Sequence, residues 1–427
     1  MAFMLLASRR FLPLFVTQFL GALNDNLFKS AMVILIVYRL AEPAGLSGGM
    51  LANAASGLFI LPFFLLSALA GRLADRMEKA RLISIIKACE IGFMLLGSLG
   101  VASGDIALLF AVLFLMGAHS TFFGPLKYSI LPVHLAAHEL IAGNALVEAG
   151  TFLAILLGTI AGAVLVLRGD GALVVSALLI AIAVGGYVAS RFVPTAPPPA
   201  PELALDLNIA RDSWRLVSRV MAVRALRAPV LGLSWFWLIG ATFLAQLPAL
   251  TKNVIGGDEQ VVTLFLAAFS IGIGAGSLLC SRLLKGAVSL RLVPVGALGI
   301  SVFTIDLFFA CGASGAPAGR LMTLGEFLAA PADWRVLVDL LLVAVAGGLY
   351  TVPLYAVLQL RSAAAERSRV IAGANIVNAL FMVAGALAAI VLLAVGASVP
   401  GVLLAVGVAN LGAALGLRAS AAAAARA

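Results

Sequence analysis

Apolar residues in this chain do not alternate with polar ones; they run in long blocks separated by short polar or proline-rich breaks. The blocks lie at about 11–39, 50–71, 82–102, 106–131, 140–167 and 171–192, then at about 229–251, 260–284, 288–312, 335–360, 370–396 and 398–418. A stretch of roughly 20 apolar residues, coiled as a helix, crosses the ~30 Å hydrocarbon core of a bilayer. Inside lipid a segment must satisfy its own backbone polar groups, which favours helices. Strands of a membrane barrel would be shorter and would alternate. The pattern therefore predicts an all-α membrane protein with twelve transmembrane helices in two six-helix halves. The halves are an N-terminal bundle over 1–192 and a C-terminal bundle over 229–427.

The break between them, 193–228, opens with Pro194, Pro197, Pro198, Pro199 and Pro201, which cannot continue a helix. It then becomes amphipathic. Arg211, Arg215 and Arg219 recur every fourth residue, while Trp214, Val217 and Met221 lie largely on another side. That is the pattern of a helix lying on a membrane surface. Arg9 and Arg10 precede the first block as in a signal peptide, but no short apolar core with a cleavage site follows. The first block is expected to be a retained helix.

Basic residues set the topology. With the N-terminus in the cytoplasm, 21 of the 28 Lys and Arg fall on the cytoplasmic side and 5 on the other, with Lys29 and Lys127 inside helices. This asymmetry predicts both termini inside. It also accounts for the net charge of +9 without nucleic acid. Only 11% of residues are charged and 63% are hydrophobic, too apolar a balance for a soluble enzyme or a disordered regulator. Cys89, Cys280 and Cys311 sit singly in apolar runs and read as small buried hydrophobes, with no metal-ligand or disulfide spacing. An internal repeat supports the six-plus-six division. IAGNALVEAG at 141–150 matches IAGANIVNAL at 371–380, and Pro125-Leu126 and Pro353-Leu354 precede them at similar distances.

The loop after the second block reads GRLADRMEKAR at 71–81. This resembles the signature loop of the major facilitator superfamily through Gly71, Leu73, Ala74, Asp75, Arg76, Lys79 and Arg81. Gly71 permits close helix approach. Asp75 can take an arginine partner or face a helix N-terminus, and Arg76, Lys79 and Arg81 can hold anionic headgroups. In the superfamily such a loop latches the two halves on the cytoplasmic side, so these residues are expected to form a gating loop.

Polar groups inside the membrane are costly and usually face a cavity. The first helix carries Gln18, Asp25, Asn26 and Lys29; Asp25 and Lys29 are four apart and share a face with Gln18. The fourth carries Lys127, and the fifth carries Asn144, Glu148 and Thr151 on one stripe. In the second half Gln246, Tyr350, Tyr355, Asn375 and Asn378 are polar but uncharged. The expected cavity is lopsided, with one charged wall and one mostly apolar wall. That suits a single-chain lipid with a zwitterionic headgroup better than a sugar.

FLGALNDNLFK at 19–29, GPLKYSIL at 124–131 and ELIAGNALVEAGTFLAILLGTIAG at 139–162 resemble the bacterial lysophospholipid transporter family, some members of which are fused to an acyltransferase and an acyl-acyl carrier protein synthetase. The resemblance implies movement of lysophospholipids, such as lysophosphatidylethanolamine, from the outer to the inner leaflet of the bacterial inner membrane. It further implies membrane lipids and a cytoplasmic acyltransferase/acyl-acyl carrier protein synthetase as partners. Asp25, Asn26, Lys127, Asn144 and Glu148 fall on the family's polar positions, and no enzyme domain is expected after residue 418. On this reading Asp25 attracts the headgroup ammonium, Lys127 with Lys29 attracts the phosphate, and Asn26 and Asn144 add neutral hydrogen bonds. Gln18, Gln246, Asn375 and Asn378 complete the candidate substrate-binding set.

Other readings stay open at this point. Asp25–Lys29 and Glu148–Lys127 could neutralise one another and hold helices together. A proton-coupled exporter of amphipathic drugs, with Asp25 or Glu148 titrating, fits the same fold. A lipid-modifying enzyme is disfavoured because no nucleophile–base or metal constellation is visible; no cofactor or metal is expected. A non-transporting scaffold is a further option. Lys87 and Glu90 read as a snorkelling pair near a helix end, and Asp306 and Asp339 as helix-end charges. His134, His138 and Glu139 read as a solvated loop without a fourth metal ligand, and Gly158 and Gly162 as a helix-packing contact. The Ala-rich tail at 419–427 has no evident role.

Overall fold

The structure, a computed structural model, describes residues 2–425 apart from 44, 46, 207 and 314–319. Thirteen long helices carry the architecture among the described residues. They are α1 (Leu12–Leu35), α2 (Gly48–Arg76), α3 (Lys79–Ser103), α4 (Ile106–Ser129), α5 (Leu140–Leu165), α6 (Gly171–Ser190) and α7 (Ile209–Ala222). The remainder are α8 (Arg224–Leu250), α9 (Glu259–Leu284), α10 (Val293–Ala313), α11 (Trp334–Arg361), α12 (Arg367–Ala394) and α13 (Val399–Ala425). Eleven of the helical stretches are long and apolar enough to cross a membrane. The twelfth expected segment is α13, whose apolar described part, Val399–Ala414, is shorter. Side chains of the Ala-rich tail lie outside the described residues.

Local chemistry explains where the helices begin. Asp105 caps α4 by accepting from the Leu108 amide at 3.1 Å, and Asp258 caps α9 by accepting from Gln260 and Val261 at 2.9 and 3.1 Å. Glu78 caps α3 through Ala80 and Arg81 at 2.9 and 2.6 Å. Prolines sit within α2, α4, α8 and α11, as membrane helices tolerate when neighbours satisfy the freed carbonyls. The internal repeat has a structural counterpart beyond its sequence. α1 ends in a π turn at Ile36–Leu40, and α8 ends in one at Thr251–Ile255.

The chain forms two compact units. Unit 1 comprises Met1–Gly143, Leu153–Met221 and Ser362–Ile376; unit 2 comprises Asn144–Phe152, Ala222–Arg361 and Val377–Ala427. The two helices that carry the repeated motif, α5 and α12, thus each contribute to both. In unit 1, α2 packs on α4, and α6 packs on α1 and α3. Its apolar centre includes Leu27, Phe28, Met32, Met94, Val112, Met116 and Leu179. The outer part of α5 approaches α1 closely: a Cβ on Gly158 would meet the Leu27 amide nitrogen at 2.9 Å, and one on Gly162 would meet the Ala31 nitrogen at 2.8 Å. This is the small-residue packing contact that the spacing predicts. In unit 2, α11 packs on α8, α9 and α10, and α13 packs on α10 and α8.

Candidate functional site: a buried polar cluster on α1, α3 and α4

Unit 1 places polar and ionisable groups from three helices in one cluster. Asn24 on α1 donates from Nδ2 to Glu90 Oε1 on α3 at 2.9 Å. Lys87 Nζ, one turn before Glu90, donates to its Oε2 at 2.6 Å. His119 Nε2 on α4 lies 3.2 Å from the same Oε2. The Lys87 ammonium also sits 5.0 Å from the centre of the Phe123 ring, a favourable cation–π distance. Asn24, Lys87, Glu90 and His119 are all essentially solvent-free, between 0% and 4% exposed. A buried charge survives only with partners of this kind.

Lys87 and Glu90 therefore do not snorkel. The helix starts at Lys79, so a rise of 1.5 Å per residue puts them roughly 12 and 17 Å along it, near mid-membrane depth. That depth is the signal in the sequence that would have found them. For His119 and Asn24 the sequence indicates no partner, since each stands among other polar residues of its own helix (Ser120 and Thr121; Asp25 and Asn26) and meets Glu90 only across helices.

One residue on from Asn24 and His119, Asp25 accepts a hydrogen bond from Ser120 Oγ. Its other oxygen, Oδ1, is buried and makes no hydrogen bond. Asp25 as a whole keeps partial exposure, as do Asn26 and Lys29. Asp25 and Lys29 share a face of α1 yet make no direct ion pair; the Lys29 ammonium instead lies 5.4 Å from the Phe59 ring centre. Asn26 donates to the Ala22 carbonyl of its own helix at 2.8 Å. Lys127 is partly exposed, with its ammonium 4.8 Å from the Tyr128 ring centre. Asn375, also in unit 1 and partly exposed, lies over Gly124 on α4.

The remaining candidates divide differently. Gln18 in unit 1 is buried. Asn144, Glu148 and Asn378 belong to unit 2 and are buried, whereas Gln246 there is partly exposed. Asn144 and Gln359 exchange hydrogen bonds in both directions, at 2.7 and 3.0 Å. The Asn144 amide thus has a protein partner, Gln359, that the residue pattern alone does not indicate. Asn378 accepts from Ser234 Oγ at 2.7 Å. Trp237 Nε1 donates to the Tyr355 hydroxyl at 3.0 Å.

The loop at 71–81 is built around Asp75, which is fully buried. Its carboxylate accepts from the Ser368 amide at 3.1 Å, the Arg369 amide at 3.2 Å and Arg369 Nε at 3.1 Å. Both anticipated roles coincide: the carboxylate faces a helix N-terminus and holds an arginine. Gly71 is required beside it, since a Cβ would come within 2.7 Å of Ala372 Cβ and 2.9 Å of Arg369 Cα. Arg76 and Arg81 are exposed. Lys79 is not: it is buried and donates to the Ala74 carbonyl at 2.7 Å. It closes the loop internally and is unavailable to lipid headgroups.

Other sequence expectations also change. Cys89 is exposed, unlike Cys280 and Cys311. Asp339 is buried near the exposed Asp306–Arg335 pair. Glu139 is held by Arg10 through two hydrogen bonds, at 2.8 and 2.5 Å, which ties the 134–139 segment to the N-terminal one.

The profile of the Major Facilitator Superfamily matches residues 14–332. The chain belongs to this superfamily. Among characterised relatives, the lysophospholipid transporter LplT of Escherichia coli O157:H7 is 27% identical over 353 residues, covering 81% of this chain and 79% of the relative. LplT of Shigella boydii is 28% identical over the same shares. Solved structures agree on the fold. The human organic anion transporter TETRAN superposes with a TM-score of 0.72 at 15% identity, over 95% of this chain and 99% of that one. The transporter FucP gives 0.71 at 12% identity, over 96% and 97%. The superfamily and the eleven apolar helices make this a multi-pass membrane transport protein.

Proposed function

We propose that the protein moves lysophospholipids from the outer to the inner leaflet of a bacterial cytoplasmic membrane by alternating access, with both termini cytoplasmic. The observation that carries the reading is the edge of the α1 cluster. Asp25 and Lys29 are opposite in sign, one helical turn apart, partly accessible and not joined to each other. A zwitterionic headgroup has the complementary pair, with its ammonium for Asp25 and its phosphate for Lys29 and Lys127. Behind them the Asn24–Glu90–Lys87–His119 network fixes the helices from which these side chains project. Names of the relatives support the substrate class. Alternating access would expose such a site to each side in turn. Product delivered to the inner leaflet would be taken up by a cytoplasmic acyltransferase and acyl-acyl carrier protein synthetase.

The test is flipping of labelled lysophosphatidylethanolamine in proteoliposomes by Asp25→Asn and Lys127→Ala variants at normal expression. We expect each to lose at least tenfold in rate, because a charge-assisted contact contributes roughly 1.5–3 kcal/mol. Wild-type rates in both would remove the assigned roles. One observation favours a second reading, a proton-coupled exporter of amphipathic solutes: His119, a titratable group, is buried against Glu90 with its Nδ1 unpartnered. Dissipating the proton gradient separates the two, since only the exporter would stop.

A further inference from the structure

Helix α7 presents three stripes. One stripe faces the protein: Asp212 and Val220 are buried, Leu216 is partly so, and Leu216 and Val220 cover Gly373 on α12. A second stripe is basic, with Arg211, Arg215 and Arg219 all exposed. The third is apolar and carries Trp214, which is 75% exposed, with Val217 and Met221 beside it. The sequence predicts a two-faced helix resting on a membrane; the structure adds the third face and shows what it grips.

That grip reaches the 71–81 loop. Asp212 takes Arg72 through two hydrogen bonds, from Nε at 2.7 Å and Nη2 at 2.5 Å. Arg72 also donates to the Ala204 carbonyl at 3.0 Å. The Ala200 amide donates to the Asp75 carbonyl at 3.0 Å, and the Ala196 amide donates to Glu78 Oε1 at 2.6 Å. The linker is therefore fastened along the same loop whose Asp75 holds the start of α12. Meanwhile the basic stripe is only partly compensated. Arg211 holds Asp206, at 3.0 and 3.1 Å. Neither Arg215 nor Arg219 forms an ion pair among the described residues.

We propose that α7 is a docking surface for anionic phospholipid headgroups, and that its occupancy is conveyed to the 71–81 loop through Asp212 and Arg72. Charge complementarity selects the occupant: three arginines at helical spacing suit clustered phosphates. The indole supplies the anchor, since a tryptophan is at home where an apolar ring meets the headgroup layer. The position fits as well, because α7 ends two residues before the spanning helix α8 begins. A docked headgroup pulls on α7, and the bidentate pair is the rigid connection through which that pull reaches Arg72 and the loop.

The experiment uses the full chain in lipid nanodiscs of phosphatidylcholine, with and without phosphatidylglycerol, read by two measurements. Lipid retention in native mass spectrometry reports docking, and amide exchange over 72–81 reports transmission. Each arginine near an anionic surface contributes ~1 kcal/mol, so each substitution should weaken phosphatidylglycerol retention roughly fivefold. The triple variant Arg211→Gln, Arg215→Gln, Arg219→Gln should then retain it on the order of a hundredfold less well. In the wild type, phosphatidylglycerol should change exchange over 72–81; in the triple variant it should not. Asp212→Asn should retain the lipid but lose the exchange response. If that variant fails to fold, the charge swap Arg72→Asp with Asp212→Arg should restore the response. Equal retention by the triple variant and the wild type overturns the docking, as does retention that ignores the lipid's charge. An unchanged response in Asp212→Asn overturns the transmission. A soluble protein captured on α7 in place of lipid also overturns the proposal.

Discussion

The two units solve the same physical problem with different chemistry. In unit 1 the polar interior is ionic: Lys87, Glu90 and His119 meet with Asn24, and Asp25 and Lys29 stand at the edge. In unit 2 the hydrogen-bonded pairs described above are neutral: Asn144 with Gln359 and Ser234 with Asn378, both buried, and the partly exposed Trp237 with Tyr355. A neutral pair that is fully hydrogen-bonded is modest in cost and modest in what its loss does. A buried ionic network is costly to desolvate and fragile to any single deletion, because the survivor is left charged without a partner. The contrast lies in the pairing: unit 1 joins charged side chains to one another, whereas these unit 2 pairs carry no formal charge, although Glu148 and Asp339 are buried in unit 2 as well.

The largest expected effect breaks this comparison at its strongest point. Glu90→Gln alone should destabilise the protein by about 3–5 kcal/mol, since it strands the Lys87 charge in a solvent-free site. The paired change Lys87→Met with Glu90→Leu should cost markedly less than Glu90→Gln, because no charge is then left unpaired. Thermal unfolding in nanodiscs measures both. If the double variant is the worse of the two, the network is not held together by mutual compensation.

A smaller effect is expected in unit 2. Gln359→Leu should cost about 1–3 kcal/mol, the penalty for leaving the Asn144 amide buried without its partner. The ordering matters more than either figure. A Gln359→Leu variant less stable than Glu90→Gln would mean that the neutral pair, not the ionic network, is the more demanding of the two.

The smallest effect concerns pH. Glu326, on the surface of unit 2, is held down to about 2 by the hydrogen bonds it accepts from Arg320. A carboxylate depressed below its ordinary 4.5 contributes stability that is present above that value and is lost as pH falls through the window toward 2. The pair is exposed, so the contribution is minor. Titrating the melting temperature of wild type and Glu326→Gln from neutral to pH 5 should therefore give parallel curves. Divergence in that range would place another group in control of the difference.

The 71–81 loop shows how far local reading carries. Gly71 and Asp75 could be assigned from residue type alone, because a close approach needs glycine and a carboxylate seeks a helix N-terminus or an arginine. Residue type groups Lys79 with Arg76 and Arg81 as a headgroup contact, yet the chain turns it inward to the Ala74 carbonyl. The surface helix followed the same course. Its arginine period was plain, but the inward stripe at Asp212, Leu216 and Val220 is defined only by what it covers.

What the sequence determined by itself was the membrane class, the twelve helical segments, the linker with its amphipathic helix and the internal repeat. These follow from short-range rules: apolar length is countable, and lipid obliges each segment to close its own hydrogen bonds. The tertiary structure decided which polar residues meet. Asn24 and Glu90 are 66 residues apart in the chain, and Asn144 and Gln359 are 215 apart. No periodicity links such positions. Their pairing is imposed when helices pack and every buried donor or charge must find a partner within hydrogen-bond reach.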